Sequence, residues 1–369
     1  MKVLITGANG FIGKNLVCKL KETSNHDLIL IDKENTTEEL VKGALEADFI
    51  FHLAGINRPK DDKEFFEGNS NLTTILVDEL IKANKTTPIL ITSSIQAELD
   101  NAYGKSKKYA EEALEKYNKE TGAKVLIYRL PNVFGKWCRP NYNSAVATFC
   151  HNIARGEEVW ISDPTKEMTL VYIDDVIRCF VNELEEKENK GLQFKEVDVV
   201  HKATLGKIVD SLNAFKAIRK TSIIPNFADE FTKVLHSTYL SYLEEDNFSY
   251  TLDKKVDNRG WLAELIKSKE FGQIFISKTK PGITRGNHYH HTKVEKFLVI
   301  QGNAEIKFRK IDEDKVITYT VDGENPTVLD IPIGYTHSIT NIGNDEVITL
   351  FWSNEIFDQE KPDTFFLEV

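Results

Sequence analysis

Cysteine is scarce in this 369-residue chain: there are four, Cys18, Cys138, Cys150 and Cys179, and no two of them form a CxxC pair. That spacing excludes a disulfide framework and a cysteine-built zinc site, and predicts reduced, mostly buried thiols. Long apolar runs are missing too, since nothing approaches the roughly 20 residues that a membrane-spanning helix needs. A membrane partner is therefore not expected. Basic residues are not in excess: 47 Lys and Arg face 57 Asp and Glu, for a formal net charge of -10. Such a balance opposes binding to a phosphate backbone and excludes nucleic acid as the main partner. There is no charged-then-apolar leader, because the N-terminus runs straight into a strand pattern, and this predicts a cytoplasmic protein.

What is present is length enough for two cores, and the rhythm of the chain changes once. From Met1 to about Phe180, short β-branched runs alternate with helical ones: KVLITG, FIGKNLVCKLKET, DLILID, TEELVKGALEA, DFIFHLAG, TTILVDELIKAN, PILITSS, YGKSKKYAEEALEKYNKETG, KVLIYRL. Alternation of this kind means βαβ units and a parallel sheet. Residues 174–189, 204–218 and 225–244 read as helical and would form a smaller lobe over a substrate. Past EEDNFSY at 244–250 the pattern becomes all-β, with NRGWLAEL, GQIFISKT, KFLVIQG, AEIKFRK, VITYTV, TVLDIP and VITLFW separated by turn residues. Short strands so spaced predict a small barrel or jelly roll. The expected domains are residues 1–245 and 246–369.

TGANGFIG at 6–13 lies between a strand and a helix and places glycine at Gly7, Gly10 and Gly13. A dinucleotide-binding turn needs those positions bare, for a tight turn, for close approach to pyrophosphate, and for packing of helix on sheet. The helix N-terminus then offers N–H groups to the phosphates. Asp32, at the end of the second strand, suits a ribose 2′-hydroxyl and hence NAD, whereas Lys33 suits a 2′-phosphate. The two signals conflict. Tyr103 and Lys107 of YGKSK stand four apart on a predicted helix and share one face. An ammonium beside a phenol, with an oxidised nicotinamide nearby, favours the phenolate and tunes it for proton transfer to or from a sugar oxygen. Ser94, at a strand's C-terminal edge, is placed to hydrogen-bond the same oxygen.

Residues 1–245 resemble the extended short-chain dehydrogenase/reductase family through TGANGFIG, HLAG at 52–55, the serines at 93–94, YGKSK, RLPNVFG at 129–135 and VYIDDV at 171–176. The resemblance implies an α/β Rossmann-like reductase in which Ser94, Tyr103 and Lys107 form the catalytic set. It also implies cofactor contacts from Thr6, Gly7, Asn9, Gly10, Phe11, Ile12, Gly13, Asp32, Lys33, Leu53, Ala54, Tyr103 and Lys107, and a substrate contact from Asn132. There are departures. TEELVKGALEA runs directly into DFIFHLAG without the usual third strand, Tyr103 follows Ser94 by only nine positions, and Met168 stands where many nucleotide-sugar members carry an arginine.

The all-β half carries Gly282, His288, His290, Glu295 and Gly302, then His337 within PIGYTHSITN. Residues two apart on a strand point to one face, so His288 and His290 can aim at one point, with Glu295 opening the next strand and His337 on another. Three imidazoles and a carboxylate suit zinc, manganese, iron, nickel or copper, with zinc the first expectation. The spacing resembles that of the cupin family. DNRGWLAEL at 257–265 and TRGNHYHH at 284–291 are also similar to deoxysugar 3,5-epimerases, in which the histidine at the His288 position is a metal-free base. His288 is thus ligand or base, and His291 is expected to be a solvated neighbour.

A 4-keto nucleotide sugar would give both halves a task. A C–H beside a ketone can be removed if the developing enolate is stabilised, and reduction of the ketone then makes a near-balanced inversion one-way. A reductase followed by a cupin resembles a family of bifunctional capsular polysaccharide synthesis enzymes. That resemblance implies C3 epimerisation of a UDP-2-acetamido-2,6-dideoxy-4-hexulose in a zinc-bearing cupin, NADPH-dependent C4 reduction to the L-talose derivative on the route to UDP-N-acetyl-L-fucosamine, and a homodimer. Two alternatives stay open: a reductase with a structural or dimerisation cupin, and a 4-epimerase that retains NAD.

Overall fold

The computed structural model describes residues 1–23, 25–57, 61, 65–186 and 191–369. They fall into two compact units, residues 1–212 with 234–243, and residues 213–233 with 244–369.

In the first unit the strands are β1 (Lys2–Thr6), β2 (Asp27–Ile31), β3 (Phe49–His52), β4 (Ile89–Ser94), β5 (Val125–Leu130), β6 (Asn132–Phe134), β7 (Glu167–Tyr172), β8 (Leu192–Lys195) and β9 (His201–Thr204). Between them run α1 (Phe11–Thr23), α2 (Thr37–Glu46), α3 (Leu72–Lys82), α4 (Ala102–Thr121), α5 (Ala145–Arg155) and α6 (Ile173–Glu185), while α7 (Leu205–Thr221) and α8 (Glu230–Leu240) each have residues in both units. Six strands form one sheet in the order β2-β1-β3-β4-β5-β8, and each neighbouring pair is parallel. Because β1 lies between β2 and β3, the strand order reverses there. At such a reversal α/β sheets bind their ligands outside the carboxyl ends of the strands, here β1 and β3. Among the described residues no strand pairs with the outer edge of β2, so the direct run from α2 into β3 leaves the sheet without the further edge strand.

Both faces of this sheet are covered, which is why its strands read as unbroken apolar runs. Val3, Ile5, Phe51 and Leu126 pack on one side with Leu16 of α1 and Phe180 of α6. Leu4, Ile50, Ile91 and Ile127 pack on the other with Leu40, Leu76, Leu80 and Leu114. Each such fully buried side chain contributes about 1.5–3 kcal/mol. α2 begins with a capping box: Thr36 Oγ1 accepts from Glu39 N at 3.2 Å, and Glu39 Oε2 accepts from Thr36 N at 2.9 Å. α4 is capped by Asn101, whose Oδ1 accepts from Gly104 N at 2.7 Å, and it ends at Gly122 in the left-handed region (φ 71°). The small sheet β6-β7-β9 lies apart.

The second unit contains β10 (Lys254–Asp257), β11 (Gly260–Ser268), β12 (Gly272–Thr279), β13 (Thr284–Tyr289), β14 (Glu295–Gln301), β15 (Asn303–Lys310), β16 (Val316–Asp322), β17 (Val328–Ile331), β18 (Tyr335–Asn341), β19 (Val347–Ser353) and β20 (Phe365–Phe366). They form two antiparallel sheets, β10-β11-β12-β19-β14-β17 and β16-β15-β18-β13-β20. Their inner faces meet around Phe297, Val299, Ile306, Phe308, Ile339 and Phe351. In β15, Ala304, Ile306 and Phe308 are buried and alternate with more open residues, which is the period a half-covered strand requires. This is the cupin-like, all-antiparallel architecture that the spacing of turn residues predicted.

Two elements differ from the sequence reading. Residues 213–233 belong to the second unit, because the chain at 222–224 runs beside β11: Ile224 N donates to Lys267 O at 2.9 Å and Lys267 N to Ser222 O at 2.8 Å. The helix expected over 225–244 is the shorter α8. Residues 187–189 of the helix expected over 174–189 lie outside the described residues.

Candidate active site and metal centre

The glycine loop sits at the reversal point of the first sheet. Gly7 is left-handed (φ 67°), and a Cβ there would stand 2.8 Å from Ala54 N, while one on Gly13 would stand 2.1 Å from Gly7 O. Neither position admits a side chain, so the loop stays close to the β3 end and to the first turn of α1. The result fits a nicotinamide dinucleotide: bare backbone at the start of a helix, with the Leu53–Ala54 backbone alongside. Both oxygens of Asp32 are already engaged by backbone, Oδ2 accepting from Asn9 N at 2.7 Å and Oδ1 from Lys33 N at 2.8 Å. Lys33 extends into solvent with its ammonium 3.6 Å from Glu34.

Tyr103 and Lys107 lie in the first turns of α4, and Ser94 ends β4. The Ser94 hydroxyl caps the turn that follows by accepting from Gln96 N at 3.2 Å. Burial raises the Tyr103 phenol above its ordinary value, and its hydrogen bond with Ser94 pulls the other way. Burial thus favours the protonated phenol here, with the Ser94 hydrogen bond opposing it. The Lys107 Nζ donates to Thr92 O at 3.2 Å and stands 6.0 Å from the Tyr103 ring centre. Its own burial lowers it to about 8, with Glu111 opposing. A protonated phenol is the state that a proton donor needs. A Cβ on Gly55 would lie 3.0 Å from the Lys107 Nζ, so bare backbone lets the β3 loop approach the lysine. Asn132, on β6, is exposed and donates from Nδ2 to Thr169 O at 3.2 Å.

In the second unit His288, His290, Glu295 and His337 each turn one possible ligand atom inward, and these atoms lie within 4.8 Å of one another. His288 and His337 face each other in register on β13 and β18. His290 stands one residue beyond β13, and Glu295 is the first residue of β14 in the opposite sheet. A register shift between Gly286 and His288, with Asn287 left-handed (φ 58°), precedes the pair, and only His288 of the two lies within the strand. Both imidazoles nevertheless reach the cluster. The Nε2 atoms of His290 and His337 each lie 3.4 Å from Glu295 Oε2. His290 Nε2 and both ring nitrogens of His337 are buried with no hydrogen-bond partner among the described residues. Buried polar atoms rarely stay unsatisfied, and this donor set fits a divalent cation. His288 is the most open of the four, and burial beside His337 and His290 lowers it to about 4, leaving a neutral imidazole. His291 is exposed, as expected.

Residues 3–195 match the NAD dependent epimerase/dehydratase family, and residues 255–365 match the polysaccharide biosynthesis C-terminal domain. Over the full length of both chains, the structure superposes on the crystal structure of capsular polysaccharide assembling protein CapF from Staphylococcus aureus with TM-score 0.93 and 48% identity. The chain belongs to the CapF family. A Pseudomonas aeruginosa relative, described as UDP-2-acetamido-2,6-beta-L-arabino-hexul-4-ose reductase, is 45% identical over 365 residues, covering 99% of this chain and 98% of its own. UDP-glucuronic acid 4-epimerase from Bacillus cereus, in complex with NAD, is 21% identical over 59% of this chain and 85% of its own, with TM-score 0.54, and shares the fold. Membership makes the chain an enzyme of the epimerase/short-chain dehydrogenase type, for which a nicotinamide cofactor is implied.

For this CapF-family chain the sequence reading passed over a polar chain beneath the cofactor loop. Ala54 N donates to Thr6 Oγ1 at 3.2 Å, Thr6 Oγ1 lies 2.8 Å from His52 Nδ1, His52 Nε2 lies 2.9 Å from Thr73 Oγ1, and Thr73 donates to Asn69 O at 2.7 Å. Asn69 in turn donates from Nδ2 to Ser106 Oγ at 3.0 Å, and Ser106 donates to Tyr103 O at 2.8 Å. Glu111, one turn beyond Lys107 and fully buried, accepts from Ser93 at 2.6 Å and from Arg129 at 3.0 and 2.7 Å. The signal for Glu111 was available, because Tyr103, Lys107 and Glu111 share one helix face at a spacing of four.

Proposed function

We propose that the chain is a bifunctional nucleotide-sugar enzyme of capsular polysaccharide synthesis. It acts on a UDP-2-acetamido-2,6-dideoxy-4-hexulose, inverting C3 in the cupin unit and reducing the C4 ketone with NADPH in the reductase unit, to give the L-talose derivative on the route to UDP-N-acetyl-L-fucosamine. The observation that carries this reading is the buried cluster of His288, His290, Glu295 and His337 on a chain that also holds Ser94, Tyr103 and Lys107. Its relatives' names support it, one as a reductase of a UDP-activated hexul-4-ose and one as a capsular polysaccharide protein.

In the cupin, His290, Glu295 and His337, with or without His288, would hold the cation, zinc before other metals. A divalent ion there supplies Lewis-acid polarisation of the C4 ketone, which acidifies the C3–H. His288, neutral and the most open of the four, is either the remaining ligand or the base that takes the C3 proton. Return of a proton to the other face inverts the carbon. In the reductase unit the glycine loop from Thr6 to Gly13, with Leu53 and Ala54, would bind the dinucleotide, and Asn132 would meet the sugar. The bound nicotinamide would supply hydride for C4, Tyr103 would give its phenolic proton to the C4 oxygen, and Ser94 would hold that oxygen. Lys107 would anchor the nicotinamide ribose and steady the phenolate that forms. NADPH is preferred over NADH because both Asp32 oxygens accept backbone N–H groups, while the Lys33 ammonium stays exposed for a 2′-phosphate. We take the functional halves as residues 1–245 and 246–369 and the assembly as a homodimer.

The test is proton NMR of a UDP-4-keto-6-deoxy-N-acetylhexosamine incubated with the protein in deuterated water and no nicotinamide. Deuterium appearing at C3 supports the two-step reading. Absence of exchange, with the ketone still reduced on adding NADPH, would leave a single-activity reductase whose cupin is structural.

A further inference from the structure

The last residues of the chain return to the cluster. Asp363 lies 73 positions after His290, and its carbonyl oxygen lies 2.5 Å from His290 Nδ1. A carbonyl only accepts, so the hydrogen must sit on Nδ1. The lone pair of that ring is then on Nε2, the nitrogen buried toward Glu295.

The Asp363 side chain holds the turn that follows His290. Its carboxylate accepts from His291 N at 3.0 Å, Thr292 N at 2.8 Å, Lys293 N at 2.8 Å and Thr292 Oγ1 at 2.9 Å. The buried Lys293 closes the loop from the other side, donating to Pro362 O and Thr364 Oγ1, both at 3.0 Å. Beyond it, β20 pairs with β13, Phe366 opposite His288 and Phe365 opposite Tyr289, and Leu367 N donates to Asn287 O at 3.0 Å.

Asp363 itself is left-handed (φ 38°). A non-glycine residue there carries strain, of order 1–3 kcal/mol, that persists only where the surroundings over-determine it. Here one conformation aims the carbonyl at the imidazole and the carboxylate at three consecutive N–H groups, so a single residue sets both the ring and the turn carrying it.

We infer that Asp363 is a positioning residue for the metal centre: its carbonyl fixes the tautomer of His290, and its carboxylate locks the 291–293 turn that orients that ring. The inference rests on the metal-binding reading of the cluster. Outer partners of this kind typically change metal affinity by about 10- to 100-fold.

The experiment uses the full chain and zinc alone. Zinc affinity is measured by competition with a chromogenic chelator for the native protein, Asp363→Ala, Asp363→Asn and a chain ending at Pro362, together with the melting temperature of each in metal-free form. Imidazole nitrogen NMR of the metal-free proteins reads the His290 tautomer.

The expected result is a zinc dissociation constant raised about 10- to 100-fold in Asp363→Ala and in the shortened chain. Partial rescue is expected in Asp363→Asn, because asparagine tolerates the left-handed region and keeps an acceptor oxygen. Metal-free melting should be nearly unchanged in Asp363→Asn, and His290 should carry its proton on Nδ1 in the native protein and exchange between tautomers in the chain ending at Pro362, which lacks the Asp363 carbonyl. Equal zinc affinity in native and Asp363→Ala proteins, or a His290 proton on Nε2 in the native protein, overturns the inference alone. Failure of the native protein to bind zinc overturns the metal reading and the inference with it.

Discussion

Thr6 Oγ1 and His52 Nδ1 lie 2.8 Å apart, both fully buried, at the carboxyl ends of neighbouring strands β1 and β3. Thr73 spends its hydroxyl hydrogen on Asn69 O, so His52 must donate from Nε2 and accept at Nδ1, and the tautomer follows from the network. Burial, with Lys107 adding to it, holds His52 down to about 3, so the ring stays neutral. His52→Ala leaves the Thr6 hydroxyl hydrogen without its acceptor and should destabilise the protein by about 1–3 kcal/mol. Because Thr6 also receives Ala54 N, cofactor affinity should weaken. Urea unfolding and a fluorescence titration with NADPH check both effects; unchanged values for the pair would mean that the network does not support the cofactor loop.

Tyr103→Phe removes the proposed proton donor and leaves the ring's packing against Phe65 in place. Ketone reduction should fall about 100- to 10,000-fold. Deuterium incorporation at C3, proposed for the other unit, should be unaffected. NADPH oxidation and NMR exchange on the same preparation read the two steps separately, and reduction at native speed would remove Tyr103 from the role.

Lys107 gives a prediction with a defined sign. Burial lowers it from 10.5 to about 8 in the fold, so between those values the unfolded chain binds more protons and stability rises with pH. Below about pH 8 the burden of the buried charge is fully present. Lys107→Met should therefore raise the stability of the cofactor-free protein at pH 7 by up to about 3 kcal/mol, while abolishing reduction. The advantage of the variant should shrink as pH climbs toward 10. Denaturant midpoints at pH 7 and pH 10 decide it, and an advantage that does not change with pH would contradict the assignment.

His290→Ala and His337→Ala should each lower metal content and C3 exchange, leaving NADPH oxidation with a pre-epimerised substrate intact. His288→Ala separates its two roles. Metal retained with exchange abolished marks a base, whereas metal lost with exchange marks a ligand. Elemental analysis and the deuterium assay together give the answer.

Much of this was legible because the physics is local. The glycine positions in TGANGFIG follow from what a phosphate-binding turn excludes, and the spacing of four puts Tyr103 and Lys107 on one helix face wherever that helix lies. Short runs separated by turn residues marked the second half as all-β, and His288, His290, Glu295 and His337 were identifiable as a cluster from type and spacing. Their roles were not legible to the same degree. The phenol's direction of shift depends on burial and on where the Lys107 ammonium points, and it points at Thr92 O.

The sequence by itself determined the order of the two folds and which residues were candidates for the cofactor loop and the histidine-rich cluster, since these depend on residue type and short-range periodicity. Only the tertiary structure decided the rest. It joined Thr6 to Tyr103 through His52, Thr73, Asn69 and Ser106, assigned residues 213–233 to the second unit, and brought Asp363 onto His290 across 73 residues. These are long-range pairings between single polar groups. They leave no periodic trace, because one hydrogen bond constrains two positions and says nothing about the residues between them.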